Sequence, residues 1–191
     1  GSRTGTNAPI GPGSGLNWDY WADPAWTKAL FSTSGPPPVS WAKLNVDGSF
    51  NSDDGTAGSG MVLRDHNGDF IFSACRSLWS CPDALHAERA GCMKWLALAH
   101  QWMELPVVLE CDSLQAVSSI NARSKDRSQY AMVISKVKRL MGERECRVTH
   151  ISREQNNVSH VLANFGRTED RMIVWICCGP VKISILCRDE P

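Results

Sequence analysis

From Lys43 to Asp47 apolar and polar residues alternate, KLNVD, as they do in a strand with one buried face. A second strand is expected over residues 58–64. Asp65-His66-Asn67-Gly68 follows it, and the Asn-Gly pair is a strong hairpin-turn signal. A third strand fits residues 70–78, so the pattern opens on a three-stranded antiparallel meander. Asp83 reads as the N-cap of a long helix running to about Trp102, with Leu85, Met93, Leu96 and Ala97 on one face. Pro106 precedes VVLEC, a continuous apolar run expected of a strand covered on both sides. One helix is expected from Ser113, another over residues 127–141, a fifth strand over 146–151, and a last helix over 156–166. This order predicts an α/β domain built on a five-stranded mixed sheet flanked by helices.

The first forty residues break the pattern. Gly and Pro dominate residues 9–15, and STSGPPP at 32–38 reads as a stiff polar linker. Between them lies a segment with Trp18, Trp21 and Trp26, in which Pro24 suits the first position of a short helix. Those tryptophans either pack on the following domain or serve as a partner-binding or base-stacking arm. The division expected is therefore an arm and linker over 1–40 and a domain over 41–191. Gly1-Ser2 reads as a remnant of expression, which hides the native N-terminus and any organelle-targeting peptide.

Composition narrows the function classes. Among 191 residues, 20 Lys and Arg balance 20 Asp and Glu, so a nucleic-acid footprint would have to be local. Residues 121–147 supply one, with Arg123, Lys125, Arg127, Lys136, Lys138, Arg139, Arg144 and Arg147 against Asp126, Glu143 and Glu145. Such a run is either a phosphate-binding surface or a solvated helix face. The eight cysteines include no C-x-x-C pair and give a zinc motif no support; reduced thiols in an intracellular protein, nuclear or cytoplasmic, are the expectation. No long apolar span is present, so no membrane partner is expected. His86-Ala87-Glu88 copies the H-x-E of zinc deaminases without their downstream P-C-x-x-C. The glycines of 55–60 lack the Gly-Lys-Ser/Thr of a phosphate loop and fit a turn and close strand packing better.

Three acids stand where chemistry would need them. Asp47 lies inside the first strand, where a carboxylate is costly unless it meets a cleft or a cation. Glu88 is one turn into the long helix. Asp112 closes the apolar strand, and sites collect at the carboxyl ends of strands in α/β sheets. Each has a plain alternative as a cap or a solvated acid, Asp112-Ser113 as the N-cap of the next helix.

Taken together, Asp47-Gly48-Ser49, AGSGMVLRD at 57–65, HAERA around Glu88, ECDS around Asp112 and ISREQNNVSHVLANFGR at 151–167 resemble the type 1 ribonucleases H. Their wording is similar to the plant ribonuclease H-like domain, found alone and at the end of non-LTR retroelement reverse transcriptases. The stretch from Val174 to Pro180 is similar to that group's ending. The resemblance covers residues 41–189. It implies hydrolysis of the RNA strand of RNA–DNA hybrids by two Mg2+ ions about 4 Å apart, Mn2+ being an alternative. It implies Asp47, Glu88 and Asp112 as metal ligands, with Asp47 bridging both ions, and hybrid as the partner.

The fourth acid of that pattern is missing. The Asp expected two residues before the Leu-Ala of the last helix is His160, and imidazole suits Zn2+ or Mn2+ better than Mg2+. Glu154 is the nearest spare acid. Ala84, Leu85 and Leu114 replace the polar groups with which the family reads 2′-hydroxyls and the minor groove, and Arg153 stands in a loop where the family often has a His. Three readings stay open: an impaired hybrid ribonuclease with Asp47, Glu88, Asp112 and His160 as its catalytic set; an inactive nucleic-acid-binding module using Lys136, Lys138, Arg139 and Arg153; and a protein-interaction domain using the N-terminal arm.

Overall fold

The computed structural model describes residues 34–176; the expectations for the Trp-rich arm, the chain end and three of the cysteines lie outside them. Strands β1 (Ala42–Phe50), β2 (Ala57–Arg64) and β3 (Phe70–Ser77) form the meander. The turn between the last two sits on Gly68 at φ 89°, a conformation open to glycine, with Asp65 accepting from the Asn67 and Asp69 amides. Helix α1 (Ala84–Trp102) starts at Asp83, whose side chain accepts from the His86 amide. Strand β4 (Val107–Cys111), helices α2 (Leu114–Asn121) and α3 (Ala131–Glu143), strand β5 (Cys146–His150) and helix α4 (Asn157–Glu169) complete the expected order.

The sheet runs β5-β4-β1-β2-β3-β6, parallel across β1, β4 and β5 and antiparallel elsewhere. It has six strands, one more than expected. The sixth, β6 (Ile173–Ile176), pairs with β3 and carries Ile173 and Trp175 onto a small core with Val62, Cys75, Val158 and Leu162. Four residues are too few to show a period, so burial rather than pattern defines this strand. Helix α3 starts four residues later than expected. The Asp126 carboxylate accepts from the Ser128 amide at 2.7 Å and its hydroxyl at 2.5 Å, and this local turn holds the segment out of the helix.

The main core lies on the α1 face, where Leu44, Val46, Met61, Leu63, Trp95, Leu96 and Leu109 meet. On the other face α4 lies directly on β2. A Cβ at Gly58 would come within 2.3 Å of the Arg167 amide nitrogen, and one at Gly60 within 2.3 Å of the Ala163 nitrogen. Two of the glycines that could have suggested a phosphate loop, Gly58 and Gly60, are thus the contact surface for α4, while Gly55 at φ 71° serves the turn before β2. No helix among the described residues is long and apolar enough to cross a membrane. The described cysteines are all free thiols.

Candidate metal centre

Alternation along β1 sends Leu44 and Val46 to the core and leaves Asp47, only 2% exposed, at the opposite face. Helix α1 crosses that strand closely, since a Cβ on Gly48 would stand 2.4 Å from the Glu88 nitrogen. Any larger residue there would push away the turn that carries Glu88. The Gly48 amide donates to Glu88 Oε2 at 3.1 Å and fixes the carboxylate beside Asp47. Asp112 follows the last residue of β4, the strand parallel to β1, and its Oδ1 accepts from Asn156 Nδ2 at 3.1 Å. The same amide donates to the Val46 carbonyl at 2.8 Å, so buried Asn156 ties the start of α4 to both strands. Within this region the donor atoms of Glu88, Cys111 and Asp112 lie within 4.8 Å of one another.

His160 enters from the first turn of α4. Its Nδ1 donates to Asp47 Oδ2 at 2.9 Å. Its Nε2 faces two donors, Arg153 Nη2 and Asn164 Nδ2, each at 3.1 Å. The rest of the network fixes these directions. Arg167 Nε donates to Ser49 Oγ at 3.1 Å, the Ser49 hydroxyl donates to Asn164 Oδ1 at 2.7 Å, and the Asn164 amide is thereby turned toward His160. The chain of donors therefore runs from Arg167 through Ser49, Asn164 and His160 to Asp47. In this arrangement both imidazole nitrogens are engaged, one as a donor to the carboxylate and one as an acceptor. Glu154 does not join the cluster; it is exposed and its partner is Ser152.

Three carboxyl groups, Asp47 buried and Glu88 and Asp112 half-buried, repel one another in one corner. Burial pushes the Asp47 carboxyl up from 3.8 to about 6, the Asp112 charge adding and the His160 hydrogen bond opposing. Burial, then the charges of Asp47, Cys111 and Asp112, raise Glu88 well above the carboxylate range. Oxygen donors converging under strain of this sign suit a hard divalent cation, which would relieve the repulsion. The consequence for stability has a definite sign. An acid whose pKa is higher in the folded state favours folding below its ordinary pKa, and that contribution is lost as pH rises through the folded value. Asp47→Asn is therefore expected to gain stability relative to the wild type as pH goes from 4 to 7 without metal. The relative gain should be on the order of 2 kcal/mol in urea unfolding, and added divalent cation should reduce it.

The positions read as nucleic-acid contacts divide. Lys138 Nζ donates to the Ala122 carbonyl at 2.5 Å and closes the end of α2. Arg139 pairs with Glu143 at 2.6 Å one turn along α3. Arg144 donates to the Met103 and His100 carbonyls at the end of α1, and the Arg147 guanidinium lies 4.2 Å from the centre of the Trp41 ring. Arg123, Lys125, Arg127 and Lys136 remain exposed, while Arg153 lies at the metal corner. Asn156, Asn164, Ser49 and Arg167 had no signal as site residues beyond their place in the motifs, because each makes at least one of its bonds to a residue more than a hundred positions away.

Residues 45–166 match the reverse transcriptase-like family. A candidate ribonuclease H protein of Arabidopsis thaliana is 29% identical over 155 residues, which is 81% of this chain and 25% of that protein. The chain thus spans about a quarter of that relative's length. Among solved structures, ribonuclease H1 of the halophilic archaeon Halobacterium salinarum superposes with a TM-score of 0.61 at 18% identity, over 66% of this chain and 96% of that one. A ribonuclease H1 isolated from compost and solved with an RNA/DNA hybrid gives 0.59 at 19% identity, over 66% and 96%. The prototype foamy virus protease–reverse transcriptase gives 0.56 at 15% identity, over 72% of this chain and 23% of that one.

Proposed function

Since the chain belongs to the reverse transcriptase-like family and has the ribonuclease H fold, we propose that it is a nucleic-acid-binding domain with a one-cation centre and slow hydrolysis of the RNA strand of RNA–DNA hybrids. The single observation that carries this is the His160 Nδ1 to Asp47 Oδ2 hydrogen bond at 2.9 Å. Asp47, Glu88 and Asp112 would hold one Mg2+ or Mn2+. A bound cation of this kind supplies Lewis acidity at a scissile phosphate.

What the chain's own residues do follows from their bonds. Glu88 and Asp112 are held in place by the Gly48 amide and by Asn156. His160 occupies Asp47 Oδ2, the oxygen a second cation would need, and Arg153 places a further positive group behind it. The imidazole acts here as a hydrogen-bond donor to Asp47, so the corner is furnished for one ion. Ala84, Leu85 and the exposed Leu114 offer no hydrogen bond to a 2′-hydroxyl, which supports weak discrimination between hybrid and other duplexes. Residues 41–191 are proposed as the nucleic-acid-binding unit, with 1–40 as an appended arm. The Arabidopsis relative and the hybrid-bound compost enzyme support the choice of substrate.

The backbone contacts are expected from Arg123, Lys125 and Arg127, which are exposed and have no hydrogen-bond or ion-pair partner among the described residues. Replacing all three by alanine should flatten the salt dependence of duplex binding by a slope of about 2 to 3, the loss expected for three phosphate contacts. Replacing Lys138 and Arg139 should leave the slope nearly unchanged. Fluorescence anisotropy across a salt series measures both; equal effects from the two sets would contradict the assignment. Hybrid cleavage by His160→Asp, treated below, tests the proposal as a whole.

A further inference from the structure

We propose that the same corner binds a thiophilic divalent cation, Zn2+ or Cd2+, with Cys111 supplying a thiolate beside the Glu88 and Asp112 carboxylates. This rests on the one-cation reading above and adds to it a sulfur ligand and hence a choice of metal.

Cys111 Sγ lies 3.6 Å from Glu88 Oε2. A tetrahedral zinc ion with Zn–S near 2.3 Å and Zn–O near 2.1 Å separates its sulfur and oxygen ligands by about 3.6 Å. The Asp112 donor atom completes a set lying within 4.8 Å, leaving one position for water or substrate. The sulfur has two further neighbours, and the Cys92 thiol together with burial pushes its pKa up, so a cation would have to displace its proton. The Ser113 amide donates to it at 3.4 Å, and the thiol of Cys92, one turn beyond Glu88 on α1, hydrogen-bonds with it. No disulfide competes, since both cysteines are free or buried thiols within the core. The three ligands come from α1, β4 and the residue after β4, so the set exists only in the folded chain, which is why cysteine spacing gives no sign of it.

Binding would replace the thiol S–H bond with a sulfur–metal bond, the proton passing to solvent. Mg2+ and Mn2+ favour oxygen and would leave Cys111 as a thiol, whereas Zn2+ and Cd2+ recruit it. The expected consequence is competition: the thiophilic ion occupies Glu88 and Asp112 and displaces the hard one.

The test uses Co2+ as a spectroscopic stand-in for Zn2+, on the full chain with Cys177, Cys178 and Cys187 changed to serine to remove the thiols near the C-terminus. The expected result is a near-ultraviolet thiolate-to-cobalt charge-transfer band with the intense visible bands of tetrahedral cobalt. Zn2+ should abolish both, and Cys111→Ser should remove the charge-transfer band. Cys111→Ser should also weaken Zn2+ binding roughly tenfold or more while Mn2+ binding, followed by electron paramagnetic resonance, stays within about threefold. Cys111→Ala serves as the second variant, with circular dichroism checking the fold. If Mn2+ binds but no charge-transfer band forms, or the band survives both Cys111 variants, the inference is overturned and the one-cation reading stands. If neither Mn2+ nor Co2+ binds, the reading beneath it falls as well.

Discussion

His160→Asp is expected to raise cleavage of the RNA strand of a hybrid in Mg2+ by roughly tenfold or more, a change of about 1.4 kcal/mol in the barrier. The wild-type imidazole donates a hydrogen bond to Asp47 Oδ2 and so removes that oxygen from metal binding. Aspartate cannot donate when ionised. It frees Asp47 and adds a hard anionic ligand, which Mg2+ prefers to nitrogen. A second Lewis-acidic ion is worth several kcal/mol at a phosphate, so tenfold is a modest expectation. Arg153 limits the gain, because its guanidinium, now 3.1 Å from His160 Nε2, would pair with the new carboxylate. The double variant with Arg153→Ala should therefore exceed the single one. Asp47→Asn should abolish cleavage in either background. Gel assays on an end-labelled hybrid, with Mg2+ and Mn2+ in parallel, give the rates. A folded His160→Asp protein that binds hybrid yet stays silent with both metals would put the defect at Ala84, Leu85 and Leu114, and the protein would then be a binding module.

Gly60→Ala should cost roughly 3 kcal/mol of folding stability, the upper end for forcing one extra methyl into a packed interface. The new Cβ would meet the Ala163 nitrogen at 2.3 Å and the Ser159 carbonyl oxygen at 2.4 Å, and backbone cannot rotate away. Relief requires α4 to lift from β2. His160 lies between those two contacts, so the lift draws it from Asp47, and hybrid binding should suffer beyond the loss of folded protein. Gly142→Ala gives the contrast. Gly142 lies near the end of α3 with nothing within 4 Å of its would-be Cβ, and alanine there should stabilise by about 0.5–1 kcal/mol. Urea melts of the two variants should move in opposite directions.

The parts of the fold that were legible in the sequence are those set by neighbours along the chain. The alternation of KLNVD, the Asn67-Gly68 turn, the Asp83 cap and the apolar VVLEC each act within a few residues, and each lies where its pattern places it. Strand β6 was not legible, because IVWI becomes a strand through pairing with β3 and packing near Phe165. The start of α3 was hidden by a competing side-chain turn at Asp126. At the site, Asp47 and Asp112 could be singled out because a carboxylate inside a strand or at its end needs a reason, and Glu88 through the HAERA motif around it. That His160 would bond to Asp47 rather than stand open could not be read. The bond depends on Ser49, Asn164 and Arg167 meeting across β1 and α4. The basic run misled in part because Lys138 turns back on the Ala122 carbonyl within the run and Arg144 reaches the Met103 carbonyl at the end of α1.

The claim that His160 reduces the centre to one cation is tested most directly by counting bound Mn2+ by electron paramagnetic resonance, with a non-cleavable hybrid present. One ion per wild-type chain and two per chain in His160→Asp are expected. Two ions bound to the wild type, with His160 unchanged, would contradict it.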